Sequence, residues 1–168
     1  MKKTVWTYGL ISGAMSAGMM LAAVPFMNSA NWSKGEIFGW TSIVLAALLV
    51  FFGVRSYREN VAAGRLTFGR GLAVGALIAL ISSSCYVASW EILYFTVPGM
   101  GDKLTACMVD RVKESGASQE KIDAMVKQTQ MYKKLWDNPL TNAAVTFIEP
   151  LPVGLAFALI SAALLRKK

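Results

Sequence analysis

The sequence predicts an all-α polytopic membrane protein with four transmembrane helices and an amphipathic helical extracytoplasmic segment between the third helix and the fourth. Of its 168 residues, 55% are hydrophobic and only 16% are charged, whereas charged residues make up about 25% of an average soluble domain. The apolar residues also form runs of membrane-spanning length rather than short strand or helix-face patches. We therefore expect a single membrane domain, residues 1–168, folded as a four-helix bundle.

The first two predicted spans are residues 4–27 and 37–54, because neither run contains a charged residue. A transmembrane helix needs about 20 predominantly apolar residues. The basic start of the first run is also typical of a secretory signal peptide, but the apolar region of a signal covers only about 7–15 residues. We therefore expect the first run to be retained as a membrane helix.

The third and fourth predicted spans are residues 71–95 and 140–165, and each contains one acid, Glu91 or Glu149. A carboxylate near the bilayer centre costs about 2.5–3.5 kcal/mol, whereas each Leu, Ile, Phe or Val returns about 0.3–0.6 kcal/mol. The apolar residues of each span offset its single acid, so we expect both runs to insert.

Both intramembrane acids are candidate site residues, because ionisable groups inside a membrane are functional by default. If Glu91 and Glu149 face one another, they can hold a proton or bind a cation. Pro150 and Pro152 follow Glu149 and remove two backbone donors, which predicts a helix break of the kind found at binding sites in transporters. In the structural alternative, Glu91 only reaches headgroups or water.

The segment between the third and fourth spans, residues 98–139, is polar but helical in pattern. Apolar residues recur every three or four positions in two stretches, which are separated by residues 115–117. Ser118 fits the N-cap of the second stretch, and Asn138 followed by Pro139 ends it. Such a segment lies on the outer membrane surface, caps the bundle or docks a partner, and we expect one of the first two.

The distribution of Lys and Arg predicts that both termini are cytoplasmic. Nine basic residues, against Glu59 alone, belong to the two termini and to the loop between the second and third spans, whereas the remaining eight are nearly balanced by seven acids. The four arginines of that loop either fix the topology or bind anionic lipid headgroups. They are Arg55, Arg58, Arg65 and Arg70.

Small residues at four-residue spacing mark the faces where membrane helices pack closely. They occur in the first, third and fourth spans: Gly9, Gly13 and Ala17; Gly71, Gly75 and Ala79; Gly154 and Ala158. These faces either build the bundle within one chain or, in part, form a homodimer.

The residue types present argue against most enzyme and nucleic-acid functions. The chain has no histidine, its two cysteines lack metal-ligand spacing, and we find no nucleophile–base pair or phosphate-cradling loop. The basic residues flank apolar runs instead of forming a stripe, so no nucleic acid is expected. We expect no cofactor, metal or catalysis, and a structural or accessory role in a membrane complex. The alternative is a small proton- or cation-coupled transporter or channel-like oligomer that uses the intramembrane carboxylates.

Short motifs in three regions carry a family resemblance. They are residues 55–60 with Gly64 and residues 67–71; residues 131–133 with 138–140; and residues 152–154 with the closing 164–168. With these motifs, nearly the whole chain resembles the bacterial membrane family catalogued as domain of unknown function 4199 (DUF4199). The resemblance implies four transmembrane helices in a bacterial cytoplasmic (inner) membrane, and it implies no activity.

Overall fold

The computed structural model describes residues 1–26 and 32–167, so the predicted end of the first span at Met27 lies outside the described residues. The described residues are 87% helical and contain no strand, which confirms the all-α prediction. The helices are α1 (Lys2–Ala23), followed by a 3₁₀ turn (Val24–Phe26), α2 (Trp32–Asn60), α3 (Phe68–Thr96), α4 (Met100–Glu114), α5 (Gln119–Trp136), α6 (Pro139–Phe147) and α7 (Pro150–Leu165).

Four helical segments are long and apolar enough to cross a membrane, as predicted: Lys2–Ala23, Gly35–Asn60, Phe68–Thr96 and Pro139–Leu165. The fourth segment combines α6 and α7. Helix α2 continues past its apolar run because its polar residues still favour a helix, and Arg55 Nε lies 3.0 Å from Glu59 Oε1 one turn later. Helix α3 begins at an N-cap, where the Thr67 hydroxyl accepts from the backbone N–H of Arg70 at 3.4 Å.

Helix α3 lies at the centre of the bundle and packs against α1, α2 and α7. The core between these helices is made of small and branched side chains that are at most 1% exposed: Val50, Val54, Val74, Ile78 and Ala158. Residues of this size let neighbouring helix backbones approach closely, and close approach provides the packing energy that lipid does not.

Two glycines of α1 lie directly against α3. A Cβ atom built at Gly9 would lie 2.8 Å from Ile81 Cβ, and one built at Gly13 would lie 2.7 Å from Cys85 Sγ. Both distances are too short for a real side chain, so these positions hold glycine for steric reasons. Ala17, one turn further along α1, is partly buried.

The contact between α3 and α7 is equally close. A Cβ atom built at Gly75 would lie 2.7 Å from Ala158 Cβ and 3.0 Å from Ala158 Cα. The two other close approaches in this contact pair Gly154 with Ala79 and Gly71 with Ala162. The small residues of α1, α3 and α7 therefore make their close contacts within a single chain.

Buried serines join α1, α2 and α3 near mid-span. The Ser12 hydroxyl donates to the carbonyl oxygen of Ala46 at 3.1 Å, and its oxygen lies 2.7 Å from Ser82 Oγ. Ser16 bonds back to the Ser12 carbonyl oxygen at 3.0 Å. These bonds satisfy polar groups that would be costly to leave unpaired in hydrocarbon.

The α2–α3 loop and both chain ends meet at one end of the bundle, which we call the loop end. Leu66 and Lys167 exchange two backbone hydrogen bonds, at 2.8 and 2.9 Å. Val5, Tyr57 and Leu165 belong to the same buried cluster as Leu66. The first, second and fourth membrane-spanning segments are thereby fixed to the same loop.

The four loop arginines also belong to the loop end. Arg55 and Arg58 both donate to Glu59 Oε1, at 3.0 and 3.2 Å, and Arg65 and Arg70 are exposed. Surface ion pairs of this kind contribute little to stability.

Candidate binding cavity at the capped end

Helices α4 and α5 cover the other end of the bundle, which we call the capped end. Met100 and Leu104 of α4 form a buried cluster with Met20 of α1 and with Leu93 and Tyr94 of α3. Helix α4 therefore packs on the ends of two membrane-spanning helices, while α5 packs on α4 and α6.

Polar contacts hold the cap in place. Lys133 of α5 is paired with Asp102 of α4, and this hydrogen bond raises the pKa of Lys133 above its ordinary value. The Tyr94 hydroxyl donates to Asp137 Oδ1 at 3.0 Å and so connects α3 to the residue that follows α5.

A cavity of about 410 Å³ lies beneath the cap, between the first turns of α2, the middle of α3 and the break between α6 and α7. Its lining combines two carboxylates with four aromatic side chains: Glu36, Glu149, Trp40, Trp90, Trp136 and Tyr86. A concave site of this size with a few polar groups on a largely apolar wall is typical of small-molecule binding sites.

Glu149 reaches the cavity because the fourth span is interrupted beside it. Helix α6 ends at Phe147 and α7 begins at Pro150, where the missing N–H of a first-turn proline costs nothing. The Glu149 N–H bonds the carbonyl oxygen of Thr146 at 3.4 Å, in place of the donor that Pro150 lacks. The Glu149 carboxylate is exposed to the cavity, and its Oε2 accepts from the Tyr86 hydroxyl at 3.3 Å.

Pro152 is the third residue of α7 and lies in its first turn, where the backbone N–H groups have no partner within the helix, so α7 runs unbroken to Leu165. The interruption is thus confined to Ile148 and Glu149. Pro150 itself is buried, which fixes the start of α7 against the bundle.

Asn142 is the centre of a buried hydrogen-bond network in the cavity wall. Its side chain is completely buried. Its Oδ1 accepts from Trp90 Nε1 at 2.9 Å and from the Thr146 hydroxyl at 3.2 Å, and its Nδ2 donates to the carbonyl oxygen of Trp136 at 2.9 Å. The network fixes the indole of Trp90 and the backbone of Trp136, which both line the cavity.

The two intramembrane acids predicted as site residues occupy different environments. Glu149 lines the cavity, whereas Glu91 is not part of its described lining. Glu91 is partly buried, and its Oε1 has no hydrogen-bond partner among the described residues. The second carboxylate of the cavity is Glu36, from the start of α2.

The sequence analysis does not single out Glu36, which lines the cavity, or Asn142, which supports its wall. In the sequence, Glu36 is one of the acids outside the predicted spans, and its neighbours form no pattern that indicates a binding site. Asn142 had a usable signal, because a lone amide in an apolar run must find partners in the bundle. Its partner Trp90 lies 52 positions away, too far for any local pattern to identify.

Comparison with known proteins gives one match. A family model described as "Protein of unknown function (DUF4199)" matches residues 7–167, which is nearly the whole chain. No curated protein and no solved structure matches the chain.

Proposed function

The chain belongs to the DUF4199 family, and from that premise we propose that it is a non-catalytic integral protein of the bacterial cytoplasmic membrane, accessory to other membrane components, which binds a small ligand in the cavity at the capped end. The observation that carries this proposal is the cavity itself. Its volume of about 410 Å³ is within the range of about 300–1,000 Å³ that small-molecule sites occupy.

The way in which the small residues are used supports a self-contained bundle. Gly9, Gly13, Gly75 and Gly154 each have a steric partner on another helix of the same chain. Faces already occupied are not available to a homodimer. A partner protein would therefore bind to another surface. The remaining exposed apolar surface is covered by the lipid bilayer in this proposal.

We propose that the loop end is cytoplasmic and the capped end extracytoplasmic, since the basic residues concentrate at the loop end. A green fluorescent protein fused after residue 168 should fluoresce, and alkaline phosphatase at the same position should be inactive. Phosphatase fused at Gly116, in the turn between α4 and α5, should be active. Active phosphatase at residue 168 would contradict this orientation.

A cation-coupled transporter is the second candidate, and the observation that favours it is Glu149 at a helix break beside the cavity. Broken helices next to intramembrane carboxylates are typical of ion sites in transporters. Against it, Glu91 contributes nothing to the described lining of the cavity.

Proton and sodium flux into liposomes that contain the purified protein separates the two candidates. If the protein is an accessory protein, we expect liposomes with the wild type or with Glu149→Gln to show the same flux as protein-free liposomes. Flux that is present in the wild type, is lost in Glu149→Gln and is retained in Glu91→Gln would replace the accessory role with transport.

A further inference from the structure

We propose that the ligand of the cavity is an organic cation with apolar substituents, of the quaternary ammonium class. This inference rests on the proposed binding role of the cavity and names the class of molecule that binds. Three properties of the described lining support it: its charge, its aromatic surface and its size.

The charge of the lining is negative. The charged side chains that line the cavity among the described residues are Glu36 and Glu149. Glu36 is already paired, because its Oε2 lies 3.3 Å from Arg111 Nη1. Glu149 bonds the neutral hydroxyl of Tyr86, so its negative charge is available to a ligand. A cation that enters the cavity is attracted to this carboxylate more strongly than in bulk water, because the surrounding protein lowers the local dielectric constant.

The aromatic surface suits a cation that hydrogen bonds poorly. Trp40, Trp90, Trp136 and Tyr86 contribute to the wall, and the faces of such rings attract cations by about 0.5–2 kcal/mol each. The Trp90 N–H is occupied by Asn142, so this indole has no hydrogen-bond donor left for a ligand. A quaternary ammonium group suits such a wall, since it carries charge without an N–H donor.

The rings are held before any ligand arrives, which reduces the entropy lost on binding. Asn142 fixes Trp90. Trp136 stacks on Tyr132 with ring centroids 5.7 Å apart and an interplanar angle of 21°. The volume of about 410 Å³ far exceeds what a bare metal ion needs, and it leaves room for alkyl groups around the charge.

Gly39 provides a way to fill the cavity without disturbing the bundle. It lines the cavity, and a Cβ atom built there meets no atom within 4 Å. The Gly39→Leu substitution therefore projects into space that a ligand would use. Gly18 of α1 also has nothing within 4 Å but does not line the cavity, so Gly18→Leu is the matched control.

The test measures binding of choline and of its neutral carbon analogue 3,3-dimethylbutanol by titration calorimetry. The full chain is held in nanodiscs of phosphatidylglycerol, which has no ammonium group. We expect choline to bind at least about tenfold more tightly than the neutral analogue, which corresponds to about 1.4 kcal/mol. Glu149→Gln should lower the affinity for choline by a similar factor, and Gly39→Leu should abolish choline binding. The control variants Glu91→Gln and Gly18→Leu should bind choline as tightly as the wild type.

A second arm distinguishes a soluble cation from a lipid headgroup. Replacing the lipid with phosphatidylcholine should leave choline binding unchanged if the site takes soluble cations, and should suppress it if headgroups enter the cavity. Either result supports a quaternary ammonium site.

Two outcomes would overturn the inference, and they have different meanings. Equal affinities for choline and its neutral analogue, or an unchanged affinity in Glu149→Gln, would leave a binding cavity that does not select cations. Absence of binding by both molecules would refute the proposed binding function as well.

Discussion

The Gly75→Leu variant should be less stable than the wild type by roughly 3 kcal/mol, at the upper end of the cost of overpacking a core. A Cβ atom at position 75 would lie 2.7 Å from Ala158 Cβ and 3.0 Å from Ala158 Cα. The second of these atoms is backbone, so no rotamer change can relieve the clash, and α7 would have to move away from α3.

The measurement is the midpoint of thermal unfolding of the purified protein in detergent, followed by tryptophan fluorescence. A loss of this size lowers the midpoint by about 6–12 °C if the response is like that of soluble proteins of similar length. The control is Gly69→Leu on the same helix, where a Cβ atom meets nothing within 4 Å. Since leucine is a better helix former than glycine, Gly69→Leu should be neutral or slightly stabilising. Equal midpoints for the two variants would contradict close α3–α7 packing.

Asn142→Leu should lower the free energy of unfolding by roughly 2 kcal/mol, the second largest effect that we expect. The substitution removes three hydrogen bonds, each of which contributes about 0.6 kcal/mol in a membrane protein. The substitution leaves Trp90 Nε1 and the Trp136 carbonyl oxygen without their partner. The same unfolding assay measures it. Asn60→Leu is the matched control, because Asn60 is exposed and bonds only Ser56 of its own helix, at 3.2 Å.

A double-mutant cycle separates the network from simple packing. Trp90→Phe removes the indole N–H and should destabilise the wild type. In the Asn142→Leu background the same substitution should cost less, because the N–H that it removes is already unpaired. Strictly additive losses would show that the bond between Trp90 and Asn142 contributes nothing.

The membrane fold was predictable because its determinants are local. Uninterrupted apolar runs give the four segments that can cross a bilayer, and the all-α class and the family are confirmed. Pro150 and Pro152 predicted an interruption beside Glu149, and α6 ends at Phe147 three residues before α7 begins at Pro150. Each of these features depends on residues that are neighbours in the chain.

The composition of the cavity was not predictable, because it depends on which faces of distant helices meet. The sequence predicts both Glu91 and Glu149 as candidates, with a helix break beside Glu149 alone, and only Glu149 belongs to the described lining. Glu36 of α2 also lines the cavity, and its carboxylate lies 3.3 Å from the guanidinium of Arg111 on α4. Helical periodicity gives the face of one helix, whereas the pairing of faces is a property of the whole bundle.

The interruption at Ile148 and Glu149 separates the fourth span into two helices with different contacts. Helix α6 contains Asn142 and forms one wall of the cavity, whereas Gly154 and Ala158 of α7 pack closely against α3. At the joint the backbone bonds span three residues, from Ile148 N to the Val145 carbonyl oxygen at 3.1 Å and from Glu149 N to the Thr146 carbonyl oxygen at 3.4 Å, so the helical pattern of α6 does not run on into α7. Substitutions in α6 should therefore alter the proposed ligand site while leaving the α3–α7 contact in place.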